Sequence, residues 1–404
     1  KERSRNAAAV DTDDWVELFP IRESVFTGYD TLTEKVRIAR YRRVTSKGKT
    51  SYQLVFDRTP FYGNSGGQVG DIGMIESANE RIPVVATEKE NGLIIHIVNQ
   101  LPENPAAEFT ARVDPEKRQA AANNHTATHL MHEALRKVLG AHVEQKGSLV
   151  TPEILRFDFS HFQKVTPEEL RKVEQLVNRA IRANYPLVEN REATKEEAEK
   201  CGAMMLFGEK YGDKVRMVRF GSSVELCGGT HTGATGNIGF FKILSESAIS
   251  AGVRRIEAVT GKAVLQMMNE RQAVLNEAAA ALKTNPNELV VKVEQQINDM
   301  RALNKKLEKM GAKVAAMQMV DLFNVSRDVK GVEVVATKLD DATPEMLRTM
   351  GDDIKSKKEN MVAVLSAVNG DKVSLLCVCG AEAVKKGAHA GKIIKEVAKI
   401  VGGG

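Results

Sequence analysis

Two pairs of side chains, far apart in the chain, have the types and spacing of zinc ligands. The first pair is His125 and His129, and the second is Cys227 and His231, each with three residues between its members. Imidazole nitrogen and thiolate sulfur are preferred zinc donors in proteins. Positions i and i+4 share one face of a helix, so His125 and His129 can bind one ion together if their segment is helical. The sequence therefore predicts a zinc site with four protein ligands.

Other interpretations of the two pairs fit less well. A single histidine on an apolar helix usually packs or faces solvent, but two similarly spaced pairs seldom arise by chance. His132 lies close by and is a rival ligand, but it has no partner in a loop. The first pair also lacks the glutamate that a His-Glu-x-x-His zinc protease uses as its general base. Metal binding is therefore favoured over packing alone and over a protease.

The segments around the pairs indicate how they are positioned. Asp114 is suited to cap the N-terminus of a helix, Pro115 suits its first turn, and Gly140 suits the position just past its end. This pattern predicts that the first pair lies on a long helix. Cys227 and His231 occupy a glycine-rich stretch that predicts a loop, which would close the ligand shell.

Composition indicates a globular protein of several domains. The 404 residues exceed what one core holds, so about two to four domains are expected. The apolar runs are too short to span a membrane, and the N-terminus lacks the apolar core of a signal peptide, so no membrane partner is expected. Four scattered cysteines favour a reducing, cytoplasmic location. The net charge of +5 permits an anionic partner without requiring one.

Hydrophobic patterning predicts an α+β multidomain protein. Residues 1–22 are interpreted as a linker, and residues 23–113 as a small β-barrel-like domain because short strands recur between turn signals. Residues 114–261 alternate helix and strand and contain both ligand pairs. Residues 262–325 predict an antiparallel helical hairpin or coiled coil. Residues 326–404 predict a small α/β C-terminal domain that stops in the glycines Gly402 to Gly404, as a fragment of a larger protein would.

The helical segment has a heptad seam, in which apolar residues alternate at spacings of three and four. The alanine-rich segment before it, residues 263–282, is suited to fold back as its antiparallel partner. A homodimer formed through the helical or C-terminal region stays open. The seam residues are Met300, Leu303, Leu307, Met310, Val314 and Met317.

Lysines concentrate in the last part of the chain. They are interpreted either as a solvated helix face or as contacts to a phosphate backbone, and charge alone does not separate the two. The candidate RNA-binding residues are Lys385, Lys386, Lys392 and Lys395.

Several motifs taken together resemble the alanyl-tRNA synthetase family, in the part that follows its aminoacylation core. The resemblance extends to the helical segment and to the lysine-rich C-terminal domain, which look like the linking helices and tRNA-binding domain of that family. The motifs are Phe56–Tyr62, Ser65–Asp71, Asn124–Leu130, Leu155–Phe159, Glu225–His231 and Gly252–Ala258.

The resemblance implies hydrolytic editing within an ATP-using alanine–tRNA ligase. The reaction would be deacylation of tRNA(Ala) that carries serine or glycine, with zinc as cofactor. The tRNA acceptor end would enter the zinc-containing domain, and the tRNA body would bind the C-terminal domain. Aminoacylation is not expected, because the sequence lacks a class II Gly-x-Gly-x-Gly-x-Glu-Arg run.

The resemblance also suggests residues for the editing pocket. Serine is larger than alanine, so the pocket must recognise the serine hydroxyl rather than size. Thr59 and Gln68 flank a glycine-rich turn and are the candidate catalytic residues, unless the turn is only structural and Gln68 is exposed. Asp158 and Glu257 are weaker candidates for orienting the ligands. The candidate substrate-binding residues are Gly228, Gly229, Thr230, Arg254 and Arg255, of which the two arginines are equally suited to ion pairs within the domain.

The role of the zinc stays open at this stage. Four protein ligands are typical of a structural site, whereas a catalytic zinc usually keeps one open position. Cys227 is expected to be a ligand rather than an acylated nucleophile. The alternatives to an editing deacylase are a tRNA-binding or assembly module with a purely structural zinc, and a metallohydrolase of another ester.

Overall fold

The computed structural model describes residues 10–204, 214–340, 342–370 and 372–400. The chain divides into two compact units, Lys1–Ala273 and Val274–Gly404. Within the described ranges, every helix is too short or too polar to cross a membrane. The finer five-part division stays a prediction, and Gly402 to Gly404 lie outside the described residues.

Six strands of the first unit close into a β-barrel. The strands that precede the first helix are β1 Val10–Thr12, β2 Val16–Glu17, β3 Val25–Phe26, β4 Thr33–Ser46, β5 Lys49–Phe56, β6 Arg58–Thr59, β7 Gly73–Glu76, β8 Arg81–Glu90, β9 Leu93–Val98 and β10 Glu108–Val113. The barrel runs β4-β10-β7-β8-β9-β5 and returns to β4, and every neighbouring pair is antiparallel. Its core includes Phe56, Phe61 and Phe109.

The predicted barrel-like unit is therefore confirmed, with two corrections. The expected linker is wrong for residues 10–17, because β1 and β2 pair with the long strand β4. Strands of two or three residues show no alternation in sequence, so only pairing with a longer strand reveals them. Strand β10 was also missed, although it is needed to close the barrel between β4 and β7.

The predicted histidine helix is confirmed as α1, Pro115–Leu139. The carboxylate of Asp114 accepts hydrogen bonds from the backbone N–H groups of Glu116 and Lys117, as an N-cap should. The N–H of Gly140 bonds the carbonyl of Arg136 and ends the helix.

The rest of the first unit surrounds this helix. It comprises β11 Gln145–Val150, β12 Leu155–Ser160, α2 Pro167–Arg182, β13 Val188–Thr194, α3 Lys195–Lys200, β14 Lys214–Phe220, β15 Ser223–Leu226, a 3-10 turn Thr235–Ile238, β16 Phe241–Ser250, β17 Val253–Thr260 and the start of α4 Gly261–Ala281. An antiparallel sheet β11-β12-β17-β16 packs with α1 and α2 around Met131, Leu135, Phe157 and Phe159. A smaller sheet β13-β14-β15 ends in a fully buried strand that leads directly to Cys227.

The second unit contains a long helix and a four-stranded sheet. Its elements after α4 are a 3-10 turn Pro286–Glu288, α5 Leu289–Asn324, β18 Arg327–Val329, β19 Val332–Leu339, α6 Pro344–Lys357, β20 Met361–Asn369, β21 Lys372–Cys379, α7 Ala381–Lys385 and α8 Ala390–Ile400. The sheet order is β18-β19-β20-β21, and only β19 and β20 are parallel. The end of α5 and α6 cover one face, and α7 and α8 cover the other.

The heptad seam of α5 is helical, as predicted, but it is not buried. Leu303 and Leu307 are each 58% exposed, and Met310 is 63% exposed. The sequence period identified the helix correctly, whereas the expected packing of the seam in a hairpin core is not observed.

Candidate metal centre

The four predicted ligands converge on one point of the first unit. The donor atoms of His125, His129, Cys227 and His231 all lie within 4.8 Å of one another. The Cys227 Sγ lies 3.4 Å from Nε2 of His125 and 3.4 Å from Nε2 of His231. Tetrahedral zinc, with bonds of about 2.0–2.3 Å, places neighbouring donors roughly 3.3–3.6 Å apart. The donor set and the two sulfur–nitrogen distances therefore fit a zinc ion.

Burial favours the neutral form of the three imidazoles, which is the form that binds a metal. Burial, together with the nearby His129 and Arg216, lowers the pKa of His125 well below its usual value. Burial also lowers the pKa of His231 and of His129. A metal ligand must be a neutral imidazole, so these groups need lose no proton to bind at neutral pH.

Gln68 connects helix α1 to the loop of residues 227–231, which is called the cysteine loop below. Its Oε1 lies 2.8 Å from Nδ1 of His125 and accepts a 2.9 Å bond from the N–H of Thr230, while its Nε2 donates to Thr230 Oγ1 at 2.8 Å. Because Oε1 can only accept, Nδ1 of His125 carries the proton and Nε2 is left for the metal. Gln68 is fully buried, so the alternative of an exposed turn residue is wrong.

Two further side chains contact the ligands, and sequence reasoning missed both. Thr126 Oγ1 lies 3.0 Å from Nδ1 of His231. Glu225 lies between two histidines, 3.6 Å from Nε2 of His129 and 3.2 Å from Nδ1 of the rival candidate His132. Although burial opposes it, the neighbouring His129 and His132 hold the pKa of Glu225 below its usual value. The available signal was a lone carboxylate in an apolar strand, two residues before Cys227.

A clamp of two side chains, Tyr29 and Arg216, holds the cysteine loop from outside. The Tyr29 hydroxyl donates a 2.5 Å bond to the carbonyl of Gly228. Arg216 donates to the carbonyls of Cys227 at 3.0 Å and Gly229 at 2.7 Å, and its guanidinium carbon lies 4.1 Å from the Tyr29 ring centroid. Burial raises the pKa of Tyr29, which keeps its hydroxyl a donor. These partners come from distant segments, so spacing along the chain could not reveal them.

Thr59 forms its observed hydrogen bonds with His96 and Phe61. It is fully buried, and its Oγ1 lies 2.8 Å from Nε2 of His96 and accepts a bond from the N–H of Phe61. The catalytic role predicted for Thr59 therefore stays a prediction, and its observed hydrogen bonds lie within the barrel. Proximity to a turn does not determine which way a side chain points, and here β6 directs Thr59 toward His96.

Arg254 and Arg255 form ion pairs within their sheet. Arg254 Nε donates to Glu246 at 2.5 Å, and Arg255 makes two bonds to Asp158 at 2.7 and 2.8 Å. Glu257 accepts a bond from Ser245. Neither Asp158 nor Glu257 therefore serves as a partner of the metal ligands, which corrects that expectation.

The four candidate lysines differ in their surroundings. Lys386 Nζ donates to the carbonyl of Gly331 at 2.6 Å and to Asn360 Oδ1 at 3.0 Å, so it has a role within its domain. Lys385 pairs with Glu382 at 2.6 Å. Lys392 and Lys395 are exposed on α8.

Two clefts reach three of the four donors. The larger, of about 460 Å³, is lined by His125, Cys227, Gly228 and Gly229 and is called the metal cleft below. The smaller, of about 230 Å³, is lined by Thr230 and His231 and is called the side cleft. The metal cleft therefore gives a ligand access to two of the four donors.

A buried ion pair fixes the barrel to the histidine helix. Arg118 of α1 binds the carboxylate of Asp71 and donates to the carbonyls of Gly28 and Pro60, at 2.7 Å each. Asp71 also accepts a 2.6 Å bond from the N–H of Tyr62. Both charged side chains are about 95% buried. This contact holds the Gln68 turn and α1 in one arrangement.

Comparison with known protein families identifies three regions. Residues 215–257 match the "Threonyl and Alanyl tRNA synthetase second additional domain". Residues 1–116 match "tRNA synthetases class II (A)", and residues 331–404 match the "DHHA1 domain". The first match includes the cysteine loop, and the second includes the barrel.

The chain is also similar to curated alanine–tRNA ligases along its whole length. It is 49% identical over 406 aligned residues to that of Bacteroides fragilis, covering 100% of this chain and 46% of the relative. The identity to the Acetivibrio thermocellus enzyme is 42% over 414 aligned residues, covering 100% of this chain and 47% of the relative. The chain thus spans about half the length of the curated relatives it matches.

Proposed function

Along its whole length the chain is a homologue of alanine–tRNA ligases, and we propose that it is the hydrolytic editing part of such an enzyme. The proposed reaction is removal of serine or glycine from mischarged tRNA(Ala) in the cytoplasm. The acceptor end enters the first unit, and the tRNA body binds the C-terminal domain. Aminoacylation is not part of the proposed activity.

The observation that carries this proposal is the meeting of four zinc-type donors at a cleft of ligand size. The metal cleft has a volume of about 460 Å³ and exposes His125 and Cys227 at its wall. Ligand pockets commonly have about 300–1,000 Å³. An aminoacyl ester on a terminal ribose therefore has room to reach the donors.

The four donors share one role in the proposal. His125, His129, Cys227 and His231 would hold zinc, which when bound supplies a Lewis acid beside the ester. Gln68 keeps His125 in the tautomer that leaves Nε2 free, and Glu225 places a negative charge 3.6 Å from Nε2 of His129. Cys227 is thereby a ligand and not the nucleophile, so water attacks the ester carbonyl.

The glycines of the cysteine loop allow the substrate to come close. Gly228 and Gly229 line the metal cleft. A Cβ at Gly229 would lie 2.1 Å from the His125 ring, so only glycine fits between loop and ligand. Backbone groups of this loop are the proposed contacts to the ester and to the serine hydroxyl. Thr230 supports them through Gln68 rather than by lining this cleft.

The proposed tRNA-body contacts are electrostatic. Lys392 and Lys395, exposed on α8, suit phosphate binding. Lys385 on α7 also suits it, because its pair with Glu382 is exposed and therefore weak. Lys386 fits less well, because it already has partners within its domain. Arg254 and Arg255, predicted to contact the substrate at the acceptor end, also fit less well, because each forms an ion pair within its sheet. Dimerisation through the exposed seam of α5 stays part of the proposal and is measured by the mass of the protein in solution.

The closed four-ligand shell supports a second candidate function, a tRNA-binding module with a purely structural zinc. The same donors are also compatible with a metallohydrolase that acts on a different ester. These functions differ in what happens to a bound seryl ester, so hydrolysis of that ester separates them.

Release of serine and alanine from charged tRNA(Ala) tests the proposal. Wild-type protein should release serine and spare alanine, and Cys227→Ala should lose at least about 100-fold in rate, as expected when a Lewis acid worth several kcal/mol is removed. Cys201→Ala is the matched control, because Cys201 is an exposed free cysteine outside the donor group. Tight tRNA binding without serine release would support the binding module instead.

A further inference from the structure

The two clefts at the metal donors differ in charge. Besides the donors, the described lining of the metal cleft has one charged side chain, Lys89, and it includes no carboxylate. The side cleft contains Asp30 and Glu189, which pair with Arg191 and Arg216. An anionic ligand is therefore favoured in the metal cleft. In the side cleft, Arg118 and Arg216 also line the wall, and both already pair with carboxylates.

One wall of the metal cleft is aromatic. The rings of Phe26 and Tyr62 are 6.0 Å apart at 71°, and those of Phe26 and Tyr29 are 4.8 Å apart at 84°. The Tyr62 hydroxyl donates to the carbonyl of Ser65 at 3.0 Å, and the Tyr29 hydroxyl donates to Gly228. Hydrogen bonding thus fixes both tyrosine rings, and Phe26 stays half-buried at the cleft.

The backbone under Phe26 is shaped for this position. A Cβ on Gly28 would lie 2.2 Å from the carbonyl oxygen of Pro60 and 2.5 Å from the Phe26 ring. Only glycine therefore lets the ring lie against the barrel beside the cleft. Lys89 approaches the same cleft from β8 and is exposed, with no ion pair in the described part of the chain.

We propose that the metal cleft is a nucleotide subsite. The terminal base of the RNA stacks on the wall formed by Phe26 and Tyr62, and Lys89 pairs with its 5′ phosphate. This inference rests on the proposed function, because an ester held at Cys227 and His125 requires its ribose and base to lie in the same cleft. Stacking on aromatic rings and pairing with lysine are the usual means of holding single-stranded RNA ends.

The test combines protein variants with a substrate change. Seryl-tRNA is compared with seryl-tRNA whose terminal nucleotide lacks its base, using wild type, Phe26→Ala and Phe26→Leu, which keeps an apolar side chain without a flat ring. Phe162→Ala is the control, because Phe162 is 85% exposed and lines neither cleft. On the intact substrate both Phe26 variants should lose about 5- to 150-fold in kcat/KM, the effect of one stacked base. On the base-free substrate they should match wild type.

A charge test addresses Lys89. Lys89→Ala should raise KM for intact seryl-tRNA and reduce the slope of log affinity against log salt by about 0.7, the value for one phosphate contact. Lys49→Ala, at an exposed barrel lysine outside both clefts, should change neither quantity.

Two results would overturn the nucleotide subsite. One is an equal loss by Phe26→Ala on both substrates, and the other is an unchanged salt slope in Lys89→Ala. Binding of adenosine monophosphate, measured by equilibrium dialysis, separates this inference from the proposed function. If wild type releases no serine, the editing proposal fails, but tighter nucleotide binding by wild type than by Phe26→Ala still supports the subsite. Equal nucleotide binding by both proteins contradicts it.

Discussion

Single side chains determine whether the four donors act as one site, and Gln68 is the clearest example. The family resemblance suggested a catalytic role at the ester for Gln68, and the structure places its amide between His125 and Thr230. Gln68 should therefore affect metal binding directly and ester hydrolysis only through the metal.

Substitution of Gln68 separates these two roles. Gln68→Ala should weaken zinc binding about 10- to 100-fold, as loss of a ligand-orienting group does, and competition with a chromogenic chelator measures this. Gln53→Ala, which removes a barrel amide that binds Arg42, should leave zinc affinity unchanged. If Gln68→Ala kept full zinc affinity but lost serine release, the original substrate role would be correct.

His96 makes the stability of the barrel depend on pH. Burial lowers the pKa of His96 to about 3 in the folded state, against an ordinary value of 6.5. Above pH 6.5 His96 contributes almost nothing to the pH dependence of the unfolding free energy. As the pH falls from 6.5 toward 3, the unfolded chain binds a proton that the folded chain does not, so stability is lost.

The size of this effect follows from the two pKa values. Between pH 7 and pH 5, wild type should lose about 2 kcal/mol more of unfolding free energy than His96→Gln. Urea unfolding followed by the fluorescence of Trp15, the single tryptophan, measures this near the barrel, because Trp15 packs on Arg42 of β4. Identical pH slopes in the two proteins would show that His96 is accessible to protons.

At the scale of elements, the Arg118–Asp71 pair joins the barrel to α1. Asp71→Asn leaves the buried Arg118 charge uncompensated and should cost about 3–5 kcal/mol of stability. Glu108→Gln, which breaks an exposed pair with Lys35, should cost less than about 1 kcal/mol. Urea unfolding of both variants gives the comparison. Equal small losses would mean that the buried pair does not hold the two elements together.

The sequence was most informative where local chemistry determines an element. Asp114, Pro115 and Gly140 were sufficient to predict the bounds of α1, because helix caps act within a few residues. Strands β1 and β2 were missed because only their pairing with β4 identifies such short segments as strands. The partners of the metal ligands divide similarly. Spacing found all four donors, whereas the contacts of Tyr29 and Arg216 with the cysteine loop form only in the tertiary fold.

At the scale of the whole molecule, the family matches extend from the barrel to the C-terminal domain. Periodicity predicted helix α5 but not the packing of its seam. A heptad repeat shows which face of a helix is apolar, and it does not show which segment packs against that face. The first unit alone holds the four donors and both clefts, so the proposed hydrolysis is a property of that unit. The second unit would supply RNA affinity.

The central claim is that hydrolysis depends on a metal held by the four converging donors. Its most direct test is serine release from seryl-tRNA(Ala), measured while zinc is withdrawn by a chelator and then restored, with bound zinc counted at each step. The rate should fall in proportion to zinc occupancy and return when zinc is added back, with one zinc per chain at full activity. Full serine release by protein with no bound metal would contradict the account.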